Sequence, residues 1–278
     1  MPPAHAPSAA AAAAHPLRVV ITGASSGIGH ALAVEFARRF PGVVLMLVAR
    51  RADRLAALEA SLSGARCHCV ALDVTDAAAL RAACEGFMKV HGVPDIVVAN
   101  AGISAGTATG VAGDRAVFQR IVAVNLLAMV DTFEPFIAPM RATGSGILVG
   151  IGSVAGVRGL PGAEAYCASK AAVAAYLESV RVGLRGSGIA VVTLAPGYIR
   201  SEMTAVNTFP MPFLMSAEEF AQRAVAAILR KRSFTFIPWQ MGWVARVLRM
   251  LPDWLFDRAF AHAPRKPRNP GLGSSNER

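Results

Sequence analysis

The strongest constraint on the fold is a regular alternation between short, continuously apolar runs and longer amphipathic stretches. Residues 43–49 read Val-Val-Leu-Met-Leu-Val-Ala and contain no polar side chain. A strand that is apolar at every position buries both of its faces, as happens in a parallel sheet covered by helices. Further runs occur at 18–22, 67–72, 96–100, 147–151 and 189–194, with helical patterns between them. The sequence therefore predicts a single Rossmann-like α/β domain built on a doubly wound parallel sheet.

The two ends of the chain differ in composition from this core. Residues 1–16 are rich in Pro and Ala and lack the charged start of a secretory signal, so we expect a disordered extension there. Residues 17–238 are expected to form the α/β domain with its sites. Residues 239–264 show an amphipathic helical pattern interrupted at Pro252, and we expect 265–278 to be a disordered tail.

Charge and cysteine content limit the partners of the chain. Residues 230–278 carry ten Lys and Arg against three Asp and Glu, so most of the net charge of +10 lies near the C-terminus. No nucleic-acid motif accompanies it, which favours an anionic membrane face or another phosphate-rich surface over nucleic acid. Cys67-His68-Cys69 has no second ligand pair with zinc spacing, so strand cysteines are favoured over a metal site. The four cysteines form no disulfide framework, which favours a reducing, cytoplasmic setting.

A glycine-rich turn, Thr22-Gly-Ala-Ser-Ser-Gly-Ile-Gly29, connects the first strand to the first helix. Small residues let the backbone approach a pyrophosphate, and the helix N-terminus supplies amide donors. The alternative is a tight turn without a ligand, and the flanking strand and helix argue against it. We therefore expect a dinucleotide to bind at Gly23, Ser25, Ser26, Gly27, Ile28 and Gly29.

Later strand ends carry residues suited to the same ligand. Arg50 and Arg51 follow the second strand, where a guanidinium suits the 2′-phosphate of NADP and an acidic residue would suit NAD. An exposed charge at a helix start is the alternative. The candidates for contacting the adenine and the ribose are Asp73, Val74, Asn100, Ala101 and Gly102, although turn chemistry alone would also explain them. The pattern predicts NADP(H) in preference to NAD(H).

Tyr166 and Lys170 stand four residues apart in a helical stretch, and Ser153 follows an apolar strand. Residues at i and i+4 share a helix face. A lysine ammonium there would favour the phenolate and lower the tyrosine pKa from its ordinary value of about 10. The arrangement predicts a proton donor and acceptor that works near neutral pH. Taken alone, Tyr-x-x-x-Lys also arises as a chance helix-surface pair.

Together these motifs resemble the short-chain dehydrogenase/reductase family over about residues 17–237. The matching positions are Thr-Gly-x-x-x-Gly-x-Gly at 22–29, Asn-Ala-Gly at 100–102, Asn125, Ser153, Tyr166-x-x-x-Lys170 and Pro196-Gly197. The chain departs from the family pattern at Ala99, where asparagine is frequent, and at Ser201, where threonine is usual. The resemblance implies a seven-stranded sheet in the order 3-2-1-4-5-6-7. It also implies a homodimer or homotetramer packed through the helices that contain Asn125 and Tyr166.

The resemblance further implies a chemistry, the reversible reduction of a ketone or aldehyde by hydride transfer. Tyr166 would be the general acid in reduction and the base in oxidation. Lys170 would hold the nicotinamide ribose, Ser153 would hydrogen-bond the substrate oxygen, and Asn125 would anchor a water linked to solvent. The positions expected near the nicotinamide carboxamide are Pro196, Gly197, Ile199 and Ser201. A 3-oxoacyl-thioester reductase and a non-catalytic dinucleotide-binding protein are the alternatives.

Two apolar segments bear on substrate and partners. Residues 208–215 predict a lid that either binds a hydrophobic carbonyl compound or only packs on the body. In the C-terminal extension one helix face is apolar and carries Trp243, Val244, Val247, Leu248 and Leu251, with Arg246 and Arg249 opposite. That face would dock on the protein or a neighbouring subunit, or lie in a membrane interface.

Overall fold

The computed structural model describes residues 15–269, and the expected fold is confirmed. One parallel sheet contains seven strands in the order β3-β2-β1-β4-β5-β6-β7. The strands are β1 (Arg18–Thr22), β2 (Val44–Ala49), β3 (Arg66–Ala71), β4 (Ile96–Ala99), β5 (Gly146–Ile151), β6 (Ile189–Pro196) and β7 (Phe234–Ile237). The helices are α1 (Gly27–Arg39), α2 (Ala52–Ser61), α3 (Ala77–His91), α4 (Asp114–Val122), α5 (Ala128–Thr143), α6 (Glu164–Gly183), α7 (Glu202–Ala205), α8 (Ala217–Leu229), α9 (Gln240–Met250) and α10 (Asp253–Phe260).

The strand order reverses direction at β1, which pairs with β2 on one side and β4 on the other. The chain builds outward from β1 to β3 and then returns to build the other half from β4 to β7. In an open parallel sheet the loops at such a reversal separate and leave a crevice beyond the carboxyl ends of the strands. The fold therefore places the ends of β1 and β4 at the mouth of a binding cleft.

Two apolar layers cover the sheet and explain why its strands read as continuous apolar runs. On one face Val19 and Ile21 pack in a cluster with Phe36 of α1 and with side chains of α2 and α8. On the other face Val20 lies in a cluster with Phe133 of α5 and with side chains of α3 and α6. Both phenylalanines are fully buried, and burial of such a side chain contributes on the order of 3 kcal/mol.

The helix expected over Arg115–Met140 is instead divided into α4 and α5 by a π-helical turn, Ala123–Leu127. Such a turn inserts an extra residue and redirects the side chains within it, often at functional sites. Together, residues 114–143 are long and apolar enough to cross a membrane, but half of their most apolar window is buried in the domain. The burial matches a core helix, and the π turn carries the buried Asn125.

The C-terminal extension forms α9 and α10, separated at Pro252 as expected. The apolar face expected on α9 is divided between two environments, because Met241 and Ala245 bury the helix against the domain while other apolar side chains stay exposed. The exposed side chains form a stripe along α9 and into α10, namely Trp239, Trp243, Val247, Met250 and Trp254.

The expectation of disorder from residue 265 onward is wrong for its first five residues. Residues 265–269 lie across the cleft, and the Gly106 amide donates to the carbonyl oxygen of Pro267 at 2.9 Å. Composition suggested disorder, but backbone pairing to a loop of the domain fixes this segment. Residues 1–14 and 270–278, which hold the remainder of the two expected disordered ends, lie outside the described residues.

Candidate active site

The glycine-rich turn after β1 depends on the absence of side chains at two positions. Gly23 has φ +69°, and a Cβ on it would lie 2.9 Å from the amide nitrogen of Asn100. A Cβ on Gly29 would lie 2.3 Å from the carbonyl oxygen of Gly23. The Asn100 amide also donates to the carbonyl oxygen of Thr22 at 2.9 Å, which ties the turn to the end of β4. The chain thus holds a bare backbone loop at the mouth of the crevice.

A cleft of about 1180 Å³ opens at this turn and extends to Tyr166. It brings together most of the residues expected to bind the cofactor: Gly23, Ser25, Ser26, Gly27, Ile28, Arg50, Arg51, Asp73, Val74, Asn100, Ala101, Gly102, Tyr166, Lys170, Pro196 and Ser201. Three expected residues fall outside its lining, because Gly29 underlies the turn, Gly197 donates its amide to Ile237, and Ile199 is buried beside Met215.

The two arginines after β2 differ in their surroundings. Arg50 is exposed at the cleft. Arg51 donates to the Ser25 hydroxyl at 3.2 Å and forms an ion pair with Glu202 of α7 at 3.0 Å. Arg51 therefore links the glycine-rich turn to the opposite side of the cleft, and Glu202 competes with any phosphate for its guanidinium.

Asp73, expected near the adenine, already has partners on both carboxylate oxygens. One oxygen accepts from the amide and hydroxyl of Thr75 at 2.9 and 2.8 Å, and the other pairs with Arg120. Burial raises the pKa of Asp73, but the Thr75 hydrogen bonds and the Arg120 charge outweigh it and hold the pKa below its ordinary value. Arg120 lies on α4 and lines the cleft, and no motif of the sequence indicated it.

Tyr166 and Lys170 line the cleft, whereas Ser153 falls outside its lining and directly follows the lining residue Gly152. Ser153 caps the short 3₁₀ turn after β5 by accepting from the amide of Ala155 at 3.1 Å, and its hydroxyl is near enough to Tyr166 to influence the pKa of that phenol. The Lys170 ammonium donates to the carbonyl oxygen of Ile151 at 2.8 Å and lies 5.9 Å from the centre of the Tyr166 ring. The expected pairing of Tyr166 and Lys170 on one face of α6 is therefore present.

The protonation states of this group differ from the expectation. Burial raises the pKa of Tyr166, and the neighbouring Ser153 hydroxyl opposes that rise only in part. Burial also lowers the pKa of Lys170 to about 8. The expected lowering of the Tyr166 pKa by Lys170 is wrong for this structure, because the ammonium is directed to Ile151 and burial disfavours both charged forms.

Asn125 is fully buried behind the cleft, in the π turn. Its side-chain oxygen accepts from the Ile103 amide at 2.8 Å, and its amide donates to the Ile103 carbonyl at 3.1 Å and to the Ser169 hydroxyl at 3.0 Å. The side chain thus ties the segment after β4 to α6, which carries Tyr166 and Lys170. Its expected role in anchoring a water stays a prediction.

Ser201 lies at the start of α7, where it and Thr204 form a capping box. A Cβ on Gly27 would lie 3.3 Å from the Ser201 side chain, so α7 approaches the glycine-rich turn closely. The segment before α7 is fixed to the expected lid by backbone hydrogen bonds between Met215 and residues 198 and 200. α7 therefore forms the wall of the cleft opposite β4.

One wall of the cleft, which residues 266–269 form, was not predicted from the sequence. Burial lowers the pKa of Lys266 to about 8. The segment lacks apolar periodicity and stands in a polar terminal stretch, so only tertiary contact reveals it. Gly106 and Gly162, on which it rests, look like ordinary loop glycines in the sequence.

The residues present fit a dinucleotide. The Gly23 and Gly27 positions leave the turn open, Ser26 does not cap α1 with its side chain, and Arg50 stands at the far end of the cleft. Helix N-terminal amides and cations of this kind bind phosphate groups. No group of three His, Cys, Asp or Glu side chains in residues 15–269 is arranged to hold a metal ion.

A parallel sheet with an open glycine-rich turn at its reversal point and a Ser-Tyr-Lys group beside it defines the class of dinucleotide-dependent oxidoreductases. The family model for short chain dehydrogenase matches residues 18–209, and the chain belongs to this family. An uncharacterized oxidoreductase of Myxococcus xanthus is 40% identical over 243 residues, covering 86% of this chain and 94% of the relative.

Solved structures of short-chain dehydrogenases also resemble this chain. A short-chain dehydrogenase from Sphingobium yanoikuyae in complex with NADPH is 31% identical, covers 85% of this chain and 97% of its own, and superposes with a TM-score of 0.71. A short-chain dehydrogenase/reductase from Burkholderia phymatum in complex with NAD has a TM-score of 0.76 at 22% identity, covering 92% and 98% of the two chains. The second comparison supports the fold alone, and both cofactors occur among structures of this fold.

Proposed function

We propose that this protein is an NADP(H)-dependent oxidoreductase that interconverts a hydrophobic ketone or aldehyde and its alcohol, with Tyr166 as the general acid and base. The observation that carries the proposal is that Tyr166 and Lys170 line the same cleft as the glycine-rich turn, with Ser153 acting on Tyr166. NADPH, when bound, supplies the hydride for the carbonyl carbon.

At neutral pH the Tyr166 hydroxyl is protonated and can serve as the proton donor in the reduction. A raised pKa keeps the Tyr166 hydroxyl protonated, so it can give its proton to the carbonyl oxygen as that oxygen gains negative charge. Ser153 accepts from the Ala155 amide, and with substrate bound its hydroxyl hydrogen would turn from Tyr166 to the same carbonyl oxygen. Lys170, with its pKa near 8, supplies a positive charge beside the tyrosine at lower pH.

The preference for NADP(H) is a proposal supported by the two arginines after β2. Arg50 is exposed at the cleft, and Arg51 is already oriented into it by Ser25. A guanidinium pairs with a 2′-phosphate through two parallel hydrogen bonds, which a ribose hydroxyl does not offer. Gly23, Gly27 and the start of α1 would hold the pyrophosphate.

Apolar side chains that precede the lid support a substrate with an apolar part. Phe209 packs edge-on against Tyr198 with ring centres 6.2 Å apart, so part of the lid packs on the body. Met203 and Val206 on the same side line the cleft itself. Packing on the body is therefore supported for the lid, whereas Met203 and Val206 belong to α7 and its end, and contact of the lid itself with a ligand stays a prediction.

A Tyr166→Phe variant tests the proposal. It removes only the hydroxyl, so NADPH binding measured by fluorescence should be unchanged while reduction of a panel of ketones and aldehydes falls about 100-fold or more. Tyr176→Phe, on the same helix, is the matched control and should keep full activity. Equal activity of the Tyr166→Phe variant and the wild type would contradict the role of Tyr166.

A separate titration tests the cofactor. NADPH should bind more tightly than NADH to the wild type, and Arg50→Asp should weaken NADPH alone. Tighter binding of NADH would overturn the arginine argument, and binding of neither would favour a non-catalytic role.

We also propose a homodimer or homotetramer in the cytoplasm, packed through the helices next to Asn125 and Tyr166. Leu127 and Val182 are exposed on this surface and would be covered by a second copy. Light scattering on the purified chain measures the assembly, and Leu127→Glu with Val182→Glu should dissociate it. A monomer in the wild type would refute the proposal.

The exposed stripe on α9 and α10 supports peripheral contact with an anionic membrane. Its three tryptophans are exposed, and Arg246, expected on the opposite face of the helix, lies 5.1 Å from the Trp243 ring instead. Tryptophan and arginine together suit the boundary between headgroups and acyl chains. Vesicles containing phosphatidylserine should retain the wild type, while Trp243→Ser should reduce retention; unchanged retention would exclude this surface.

A further inference from the structure

The segment 265–269, named here the C-terminal strap, is fixed in place by three kinds of contact. Gly106 donates to the carbonyl oxygen of Pro267 at 2.9 Å and forms a bridge with Arg268. Arg268 pairs with Asp114 at 2.5 Å. A Cβ on Gly106 would lie 2.1 Å from the carbonyl oxygen of Lys266, so the strap rests on bare backbone. The strap is therefore held against the domain by specific contacts and forms one wall of the cleft.

Lys266 extends from this strap toward the proton donor. Its ammonium lies 6.0 Å from the centre of the Tyr166 ring and donates to the carbonyl oxygen of Met203 at 3.3 Å. In residues 15–269 no carboxylate forms an ion pair with it. The acidic residues that line the cleft, Asp73 and Glu202, are paired with other cations.

A partly buried ammonium with one long hydrogen bond to a neutral carbonyl is poorly compensated. An anion would complete its surroundings through a short charge-assisted hydrogen bond. The phosphate-binding features of the cleft, Arg50, Arg51 and the glycine-rich turn, follow β2 and β1, whereas Lys266 lies 6.0 Å from the Tyr166 ring. An anion held by Lys266 therefore belongs to the molecule that meets Tyr166.

We propose that Lys266 is a specificity-determining residue that binds an anionic group, a carboxylate, sulfonate or phosphate, carried by the carbonyl substrate. This inference rests on the proposed reductase function and narrows its substrate class to carbonyl compounds with an apolar spacer and an anionic end. Ile103, Ala105 and Met203 line the cleft around Lys266 and suit the spacer. The ammonium is present at neutral pH, since burial lowers its pKa only to about 8.

The test compares 6-oxohexanoate with its methyl ester, which has the same aldehyde and spacer without the charge. Binding of each to the full chain is measured by calorimetry with NADP⁺ present, where no hydride is available for reduction. The wild type should prefer the acid, and Lys266→Met should reduce that preference about tenfold or more. Lys266→Arg should retain it. Arg265→Met removes an exposed neighbouring cation and is the matched control.

Gly106→Val offers a second variant, because its side chain would displace the strap without changing Lys266. It should cause the same loss of preference. An unchanged preference for the acid in both variants would overturn the proposal. If Lys266→Met only weakened NADP⁺ binding, the proposal would also fail, because Lys266 would then bind the cofactor. Turnover of both aldehydes with NADPH is measured separately. Lysine-dependent binding without turnover would reject the reductase function and keep the anion site.

Discussion

Replacing Lys170 with methionine should abolish the proposed reaction and yet stabilise the folded protein at neutral pH. Lys170 is buried, with 4% of its surface exposed, and its ammonium has the Ile151 carbonyl as its hydrogen-bond acceptor. Burial lowers its pKa from the ordinary 10.5 to about 8. In the unfolded chain the same group returns to water, so folding works against its charge.

The size of the effect follows from that difference. At about 1.36 kcal/mol per pKa unit, holding the Lys170 ammonium in the folded state costs about 3 kcal/mol below pH 8. Methionine removes this cost and also removes one hydrogen bond of about 1 kcal/mol. The free energy of unfolding of Lys170→Met should therefore exceed that of the wild type by about 2 kcal/mol near pH 7.

The pH dependence gives the decisive readout. Between about pH 8 and pH 10.5 the unfolded chain binds more protons than the folded chain, so wild-type stability rises with pH. The advantage of Lys170→Met should shrink over that range and vanish by about pH 10. Urea unfolding of the cofactor-free protein measures it, with the exposed Lys89→Met as control. A variant that is less stable than the wild type at pH 7, or a difference that does not change with pH, would refute the reasoning.

Three further outcomes are expected. Glu202→Gln should tighten NADPH binding about twofold to fivefold in a fluorescence titration, because Arg51 loses a competing carboxylate, and equal or weaker binding would contradict the ion pair. Gly29→Ala should lower the free energy of unfolding by about 1–3 kcal/mol and impair dinucleotide binding, whereas Gly86→Ala, with open space around it in α3, should be neutral or stabilising. The preference for 6-oxohexanoate over its ester should fall as pH rises through about 8 and should persist in Lys266→Arg; a pH-independent wild-type preference would count against the lysine.

The sequence predicted the sheet, its strand order and most of the cofactor cleft because these features depend on local patterns. A strand buried on both faces must be apolar throughout. A turn such as 22–29 needs glycines, because a side chain there would keep a ligand away from the backbone. The π turn at Asn125 was missed because its residues have ordinary helical propensity. Its geometry follows from the side-chain contacts to Ile103 and Ser169.

The pKa shifts of Tyr166 and Lys170 could not be predicted from their spacing in the sequence. The spacing of Tyr166 and Lys170 correctly placed them on one helix face but gave the wrong direction for the tyrosine pKa. Burial of both groups depends on the segments that close over α6, and spacing carries no information on burial. The strap was missed for a similar reason, since its contacts reach from Lys266 to Gly106 and Met203, far away in the chain.

Because of the strap, cofactor binding and the proposed substrate selection depend on residues that are far apart in the sequence. The cofactor turn is complete within the first thirty residues, whereas the cation that would choose the substrate stands a dozen residues from the last one. Substrate choice could then be redesigned, or transplanted between relatives, by rewriting a short terminal stretch while the nucleotide half is left alone.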